Sequence, residues 1–149
     1  MTSITSFQGE HAFLSNFFPC SIPVGSFTAP SVEHAFQALK SLGEEEVRWV
    51  LEAATPAAAK RRGRRVTLRA DWAEVKLSLM EQALRLKFAP DSELAAMLLA
   101  TGDAELIEGN SWNDRFWGVC RGAGQNHLGK LLMKVRADLL EASRGEPGA

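Results

Sequence analysis

Glu33, Gln37 and Lys40 put a carboxylate, an amide and an amine within one heptad of the stretch Ser31-Val32-Glu33-His34-Ala35-Phe36-Gln37-Ala38-Leu39-Lys40. If that stretch is helical, a rotation of 100° per residue brings the three within about 60° of one another. A carboxylate can stabilise a developing cation or move a proton, and an amine that is partly neutral can attack carbon. One wall presenting both suits catalysis. The competing reading is a solvated face with a weak ion pair. Ala35, Ala38, Leu39 and Leu42 form an apolar strip on the opposite side, as a core-facing helix needs.

Two other stretches carry chemistry. From Lys60 to Arg69 the residues Lys60, Arg61, Arg62, Arg64, Arg65 and Arg69 are basic, and no acid falls between Glu52 and Asp71. Forked guanidinium groups beside a helix end suit phosphate or pyrophosphate, the alternative being a solvated basic patch. The loop Glu108-Gly109-Asn110-Ser111-Trp112-Asn113-Asp114-Arg115-Phe116-Trp117-Gly118 keeps two tryptophans beside acids and amides, a pattern suited to stacking on a base and holding ribose hydroxyls. Lys76 and Lys87 project from the apolar arc of the helix between these stretches, where they either snorkel or reach a bound anion. Asn16, amid Phe13-Leu14-Ser15-Asn16-Phe17-Phe18, is either a turn-former or a polar group aimed at a ligand. His11, His34 and His127 are scattered, and each reads as a structural hydrogen-bonder rather than a metal ligand.

The elements that must position these groups are legible from caps and breakers. The 149 residues suit one domain, expected over residues 7–142, with 143–149 as a disordered tail. Acids and bases nearly cancel at 18 against 17, which disfavours a general nucleic-acid-binding protein. Cys20 and Cys120 lack partners at metal-ligand spacing, and no apolar run is long enough for a signal peptide or a membrane span. A cytoplasmic protein with reduced thiols is expected. Between Ile4 and Pro30 the pattern favours strands, with Ser21-Ile22 pairing Ser26-Phe27-Thr28 across Pro23-Val24-Gly25. Ser31 caps the Glu33 helix and Gly43 ends it; Glu44-Glu45-Glu46 opens the next, and Thr55-Pro56 opens a third that stops at Gly63. Asp71 and Glu74 read as a capping box for a helix from Trp72 to Phe88. Asp91 or Ser92 caps a short helix through Leu99, and Asn126 caps a last one with a core face of Leu128, Leu131, Leu132, Val135 and Leu139.

Several of these pieces together resemble a known family. Phe13-Leu14-Ser15-Asn16-Phe17, Glu33-His34-Ala35-Phe36-Gln37 with Lys40, Thr55-Pro56 with Ala59-Lys60 and Gly63-Arg64, Arg69 with Trp72 and Lys76, Lys87-Phe88, Thr101-Gly102, Asp114 with Trp117-Gly118, and Asn126 with Leu128-Gly129 and Leu132-Met133 resemble the NADAR (YbiA-like) domain, in the same order and at similar spacing. The likeness runs from about Phe7 to Leu139. It implies a mainly α domain, a compact orthogonal helical bundle with a small N-terminal β-hairpin, acting on N-glycosidic bonds of ribosyl compounds. Two substrate classes are associated with the family: phosphoribosylamino-pyrimidine intermediates of riboflavin synthesis, and ADP-ribose attached to guanine in nucleic acid. The resemblance further implies Glu33 and Lys40 as a catalytic pair, the lysine forming an imine with the sugar C1, and Asp114 as a further active-site acid. Asn16, Phe17, Gln37, Arg64, Trp72, Lys76, Trp112, Trp117, Gly118 and Asn126 are the expected substrate-binding residues.

The chemistry agrees with the residue types. Breaking a C1–N bond develops positive charge at C1, which a carboxylate such as Glu33 stabilises, and an amine such as Lys40 can attack C1 if burial or nearby cations keep it partly neutral. Asp114 could instead hold ribose hydroxyls while a tryptophan stacks on the base and Arg64 and Lys76 meet phosphate. The leading expectation is therefore an N-glycosidase that needs neither metal nor cofactor and acts on a ribosyl nucleotide-like substrate. The alternative is a non-catalytic module that binds NAD or ADP-ribose.

Overall fold

Ser31 opens the helix against which most of residues Asn16–Lys87 pack. The computed structural model describes residues 2–145, and among them the chain runs β1 (Ser3–Ile4), a 3-10 turn (Gly9–Leu14), β2 (Ile22–Val24), β3 (Phe27–Ala29), α1 (Val32–Ala38), α2 (Glu44–Leu51), α3 (Pro56–Gly63), α4 (Trp72–Lys87), α5 (Glu93–Ala100), β4 (Glu105–Leu106), β5 (Gly109–Asn110), β6 (Val119–Cys120) and α6 (His127–Gly145). The class is mainly α, about 50% helical with short strands. The contacts divide the chain into two compact units, Asn16–Lys87 and the segment up to Ser15 together with that from Phe88 onward.

In Asn16–Lys87, α1 is the hub. It packs against α2, α3, α4 and the hairpin, and all seven of its residues are buried. A helix wrapped in this way is usually apolar all round. Here Glu33, His34 and Gln37 are buried with Val32, Ala35, Phe36 and Ala38, so each polar group needs a partner inside the protein. Ser31 supplies two: its Oγ accepts from the His34 amide at 3.0 Å, capping the helix, and donates to His34 Nδ1 at 2.7 Å. His34 Nε2 in turn donates to the Ala53 carbonyl at 2.9 Å, which ties α1 to the end of the α2 segment and fixes the ring tautomer. Beside this contact Ala38, Val50, Ala53 and Ala59 form an apolar cluster flanked by Val47, Leu51, Ala58 and Val66.

Several boundaries differ from the sequence expectation for identifiable reasons. The helix ends at Ala38 rather than near Gly43, which becomes the N-cap position of α2. Leu42, projected onto the core strip, is therefore 76% exposed. The hairpin turn is Gly25-Ser26, with Val24 paired to Phe27 and Pro23 to Thr28. A two-residue turn needs a positive φ, which Gly25 supplies at 59°, and a two-stranded sheet tolerates Pro23 on its free edge. Asp71 does not cap α4 with its side chain; the carboxylate takes a bidentate hold on Arg69 at 2.6 and 3.1 Å.

In the other unit β1 pairs with β4 and β5 with β6, both in parallel, while α6 packs on α5 and β4. Phe13, Leu14, Leu98, Leu106, Leu128, Leu132 and Val135 are buried there. Helix α6 continues through Ser143 and Arg144, which had been placed in the expected tail, and residues 146–149 of that tail lie outside the described residues. No helix of the described residues is long and apolar enough to cross a membrane.

Replacing Ser31 by Ala removes the cap and strands His34 Nδ1. A lost cap costs about 1 kcal/mol and a buried unpaired acceptor about 1–3 kcal/mol, so urea denaturation is expected to show Ser31→Ala destabilised by about 2–4 kcal/mol. A loss within the range of a surface substitution would show that this contact does not anchor α1.

Candidate active site

Of the three groups expected along one helix face, Glu33 and Gln37 are buried on α1, whereas Lys40 follows the helix and is partly exposed. Glu33 lies in the first turn of α1, where the helix dipole favours a carboxylate, and it is 7% exposed. Its amide donates to the Asn16 carbonyl at 3.0 Å, which holds the Asn16 segment against the start of the helix. One turn on, Gln37 Nε2 donates to Glu33 Oε1 at 2.8 Å, leaving Gln37 Oε1 buried and without a hydrogen-bond partner. The solvated-face alternative fails for Glu33 and Gln37 because α3 and α4 pack onto their helix.

Lys40 sits two residues beyond α1, in a turn gripped from both sides. Its amide donates to the Gln37 carbonyl at 3.3 Å, and its own carbonyl accepts from the Arg69 amide at 2.8 Å. Its Nζ lies 6.0 Å from the centre of the Trp72 ring, which packs on Phe36 with ring centres 4.9 Å apart. Partial burial pushes the Lys40 ammonium below its ordinary pKa; Glu33 opposes that shift, while Arg64 and Lys60 add to it by repulsion. Glu33, Lys40, Lys60 and Arg64 thus act on one another within one unit. Trp72 supplies an aromatic wall. Lys76 is half-buried on α4, and Phe17 is exposed.

Asn16 does more with its backbone than with its side chain. Its Nδ2 donates to Met80 Sδ at 3.6 Å, and its Oδ1 is buried with no partner. At the far end of α4, Lys87 does not snorkel. It is 3% exposed, with Nζ 5.7 Å from the Phe18 ring centre, and burial pushes its pKa down to about 8. Burial raises the nearby Cys20 thiol, with Lys87 pulling the other way.

The remaining expected site residues belong to the other unit, where the loop 108–118 is knitted by its own polar groups. Asp114 Oδ1 accepts from the amides of Phe116 at 3.1 Å and Trp117 at 2.9 Å. The Asp114 amide donates to Asn110 Oδ1 at 3.0 Å, and Asn110 Nδ2 returns a bond to the Asp114 carbonyl at 2.9 Å. One carboxylate oxygen of Asp114 is therefore committed to the turn. Asn126 is also spent on the fold: its Nδ2 donates to the Leu106 carbonyl at 2.9 Å and its Oδ1 accepts from the Glu108 amide at 3.0 Å, in place of the expected helix cap. Gly118 is buried where any Cβ would overlap Glu108. Trp117 packs edge-on against Phe116 with centres 4.8 Å apart, whereas Trp112 is 55% exposed.

The NADAR domain matches residues 5–140. This chain belongs to the NADAR domain family. It is 41% identical over 137 residues to the N-glycosidase YbiA of Escherichia coli strain K12, an alignment covering 90% of this chain and 85% of that protein. It is 41% identical over 131 residues to the N-glycosidase Npun_R5314 of Nostoc punctiforme, covering 84% of this chain and 83% of the relative. It is also 43% identical over 135 residues to the riboflavin biosynthesis protein VVA0006 of Vibrio vulnificus, covering 89% of this chain but 36% of that longer protein. The NMR structure of E. coli YbiA superposes with a TM-score of 0.86 at 38% identity, covering 99% of this chain and 90% of that one. The mainly α fold is thus shared with YbiA, and the chain is a hydrolase acting on N-glycosyl bonds.

Lys60, expected only as part of the basic run, and Gly63, expected to do no more than end the helix, both belong to α3; Lys60 acts on the Lys40 charge and Gly63 packs against Gln37. Their helical spacing from Arg64 would have indicated Lys60, since residues one turn apart share a face. Nothing in the sequence marks the packing role of Gly63.

The Asp114 geometry makes a test that separates a turn carboxylate from a reacting acid. Asparagine keeps Oδ1 as an acceptor and loses the charge. If Asp114 organises the loop, Asp114→Asn is expected to retain turnover within about threefold, while Asp114→Ala loses about 1–2 kcal/mol in thermal stability. Equal, large losses of kcat in both variants would assign it acid chemistry instead.

Proposed function

We propose that this chain hydrolyses the C1–N bond of a phosphoribosylamino-pyrimidine intermediate of riboflavin biosynthesis, with Glu33 and Lys40 carrying the reaction. The observation that supports it most is one buried carboxylate acting electrostatically on a lysine whose pKa burial and two neighbouring cations hold below its ordinary value against the pull of that carboxylate. The printed names of the relatives, N-glycosidase and riboflavin biosynthesis protein, support the bond type and the substrate class.

In this reading neutral Lys40 attacks C1 as the C1–N bond to the base breaks. Glu33 stabilises the positive charge that develops at C1, takes a proton from Nζ and passes it to the departing nitrogen. The second Nζ proton goes to the ring oxygen as the sugar opens, leaving an imine between Nζ and C1. Water then adds across that imine, releasing the free sugar as an aldehyde and restoring the amine. Arg64, Lys60 and Lys76 hold the phosphate, and Trp72 offers a stacking face for the base. Both cysteines are free thiols, which supports a cytoplasmic setting.

A second reading, ADP-ribosyl-guanine in nucleic acid, is favoured by one feature. A groove of about 640 Å³ is lined by Trp49, Ala58, Arg61, Arg62, Arg64 and Arg65. Arg62 lies over the Trp49 ring at 5.2 Å and donates to the Trp49 carbonyl at 2.7 Å. Among the described residues these four arginines form no ion pair, so their charge is available to a phosphate backbone.

Incubation with each substrate, followed by mass spectrometry of the released base, tests both readings. The pyrimidine is expected to be cleaved, with Lys40→Ala losing about a thousandfold or more of kcat. Borohydride should trap a sugar adduct on Lys40. Cleavage of modified DNA alone, weakening steeply with salt, would transfer the assignment to nucleic acid. Tight binding without release from either substrate would overturn both.

The pH dependence has a defined sign. Arg64 and Lys60 disfavour the Lys40 ammonium, so removing either raises its pKa. The rising limb of kcat/KM is therefore expected to move to higher pH in Lys60→Ala and Arg64→Ala. An unmoved limb would show that Lys40 is not the titrating group.

A further inference from the structure

We propose that Gly63 is a positioning residue of the active site: its missing side chain leaves the space in which the Gln37 amide sits while holding the Glu33 carboxylate. The inference rests on the reading of Glu33 as the catalytic carboxylate. Gly63 is the last residue of α3, and it is not among the glycines with positive φ. No backbone conformation therefore demands glycine there, and glycine in a helix is less stable than alanine. The reason lies across the α1–α3 contact. A Cβ at position 63 would overlap Gln37 Oε1 and come within 2.8 Å of its Cδ and 2.9 Å of its Cβ.

The last of those contacts matters most, because Gln37 Cβ is fixed by the α1 backbone. Rotating the side chain away cannot make room at Cβ, so the two helices must part. The amide is also fixed end for end. Its Nε2 donates to Glu33 Oε1, so Oε1 is turned toward Gly63, where it is buried and unpartnered. A flipped amide would set its oxygen against a carboxylate. A neutral donor orients Glu33 without adding a second cation that would compete with Lys40 for it. Gly63 is also flanked on α3 by Lys60 and Arg64, the two cations acting on Lys40. Parting the helices would loosen the grip on Glu33 and weaken that repulsion together.

The test is a cycle on the full chain. Gly63→Ala is expected to lower kcat about tenfold or more with KM within about threefold, and to move the rising pH limb upward. Gln37→Gly removes all three atoms that the new methyl would meet, so in that background Gly63→Ala should change kcat by less than twofold. If Gly63→Ala alone does not fold, the double variant should restore folding. Gln37→Met keeps the bulk but not the donor, and should lower kcat without moving the pH limb. Equal effects of Gly63→Ala in both backgrounds, or a folded Gly63→Ala with unchanged kcat, would overturn the proposal. Glu33→Gln distinguishes the two failures: full activity in that variant overturns the reading of Glu33 itself, whereas an inactive Glu33→Gln beside an unaffected Gly63→Ala overturns only the positioning.

Discussion

Burying a seven-residue helix that contains a carboxylate, an imidazole and an amide constrains everything around it. Each polar group must find a partner within the packed interior or leave a costly orphan. His34 is fully used, by Ser31 at the helix start and by the Ala53 carbonyl. Glu33 is met by Gln37, and the Gln37 carbonyl oxygen is left unmet. On the proposed reaction, that asymmetry separates a structural polar group from a functional one. His34 satisfies the fold, whereas the Glu33–Gln37 pair accepts an unsatisfied atom in order to keep a carboxylate in one place. Unpaired buried atoms of this kind gather where function competes with stability.

The amine obeys a complementary constraint. Lys40 lies just outside the helix, where it is only partly buried, and its surroundings are set by chain segments far apart in sequence. Arg69 pins its carbonyl, Trp72 flanks its Nζ, and Lys60 and Arg64 oppose its charge. Arg69 itself is held by Asp71 in a bidentate pair. The partly exposed Arg69–Asp71 pair contributes little to stability on its own. Its importance is geometric, because Arg69 also holds the Lys40 carbonyl and so fixes the turn after α1.

Much of this was legible in the sequence, and the rest was hidden for physical reasons. The caps at Ser31, Thr55 and Ser92 were readable because they depend on residues three apart. The Glu33–Gln37 pairing was readable because i,i+4 residues must adjoin on a helix. Burial of that face was not, since it depends on α3 and α4 covering it. Leu42 failed for a related reason: periodicity was extended past a helix end that the sequence does not mark. Of the two readings open for Lys87, snorkelling does not occur: its ammonium stays inside, 5.7 Å from the Phe18 ring centre. One carboxylate oxygen of Asp114, both side-chain polar atoms of Asn126 and the missing Cβ of Gly118 meet groups that only the fold brings close, so residue type alone does not show these local contacts. Residue type reveals capacity for chemistry; only the fold decides how much of it is already used.

In the proposed reaction the cations beside Lys40 carry two duties that conflict. In the free site Lys60 and Arg64 repel the ammonium and favour the neutral amine. A phosphate held between them cancels part of that repulsion before C1 is attacked, which costs neutral amine at the first stage and helps only the later one, when the imine nitrogen leaves C1 and takes up protons. In the proposed reaction Glu33, which accepts from the neutral Gln37 amide, carries the proton between the two stages. The arrangement therefore depends less on any single pKa than on how charge at the end of α3 responds to an anion.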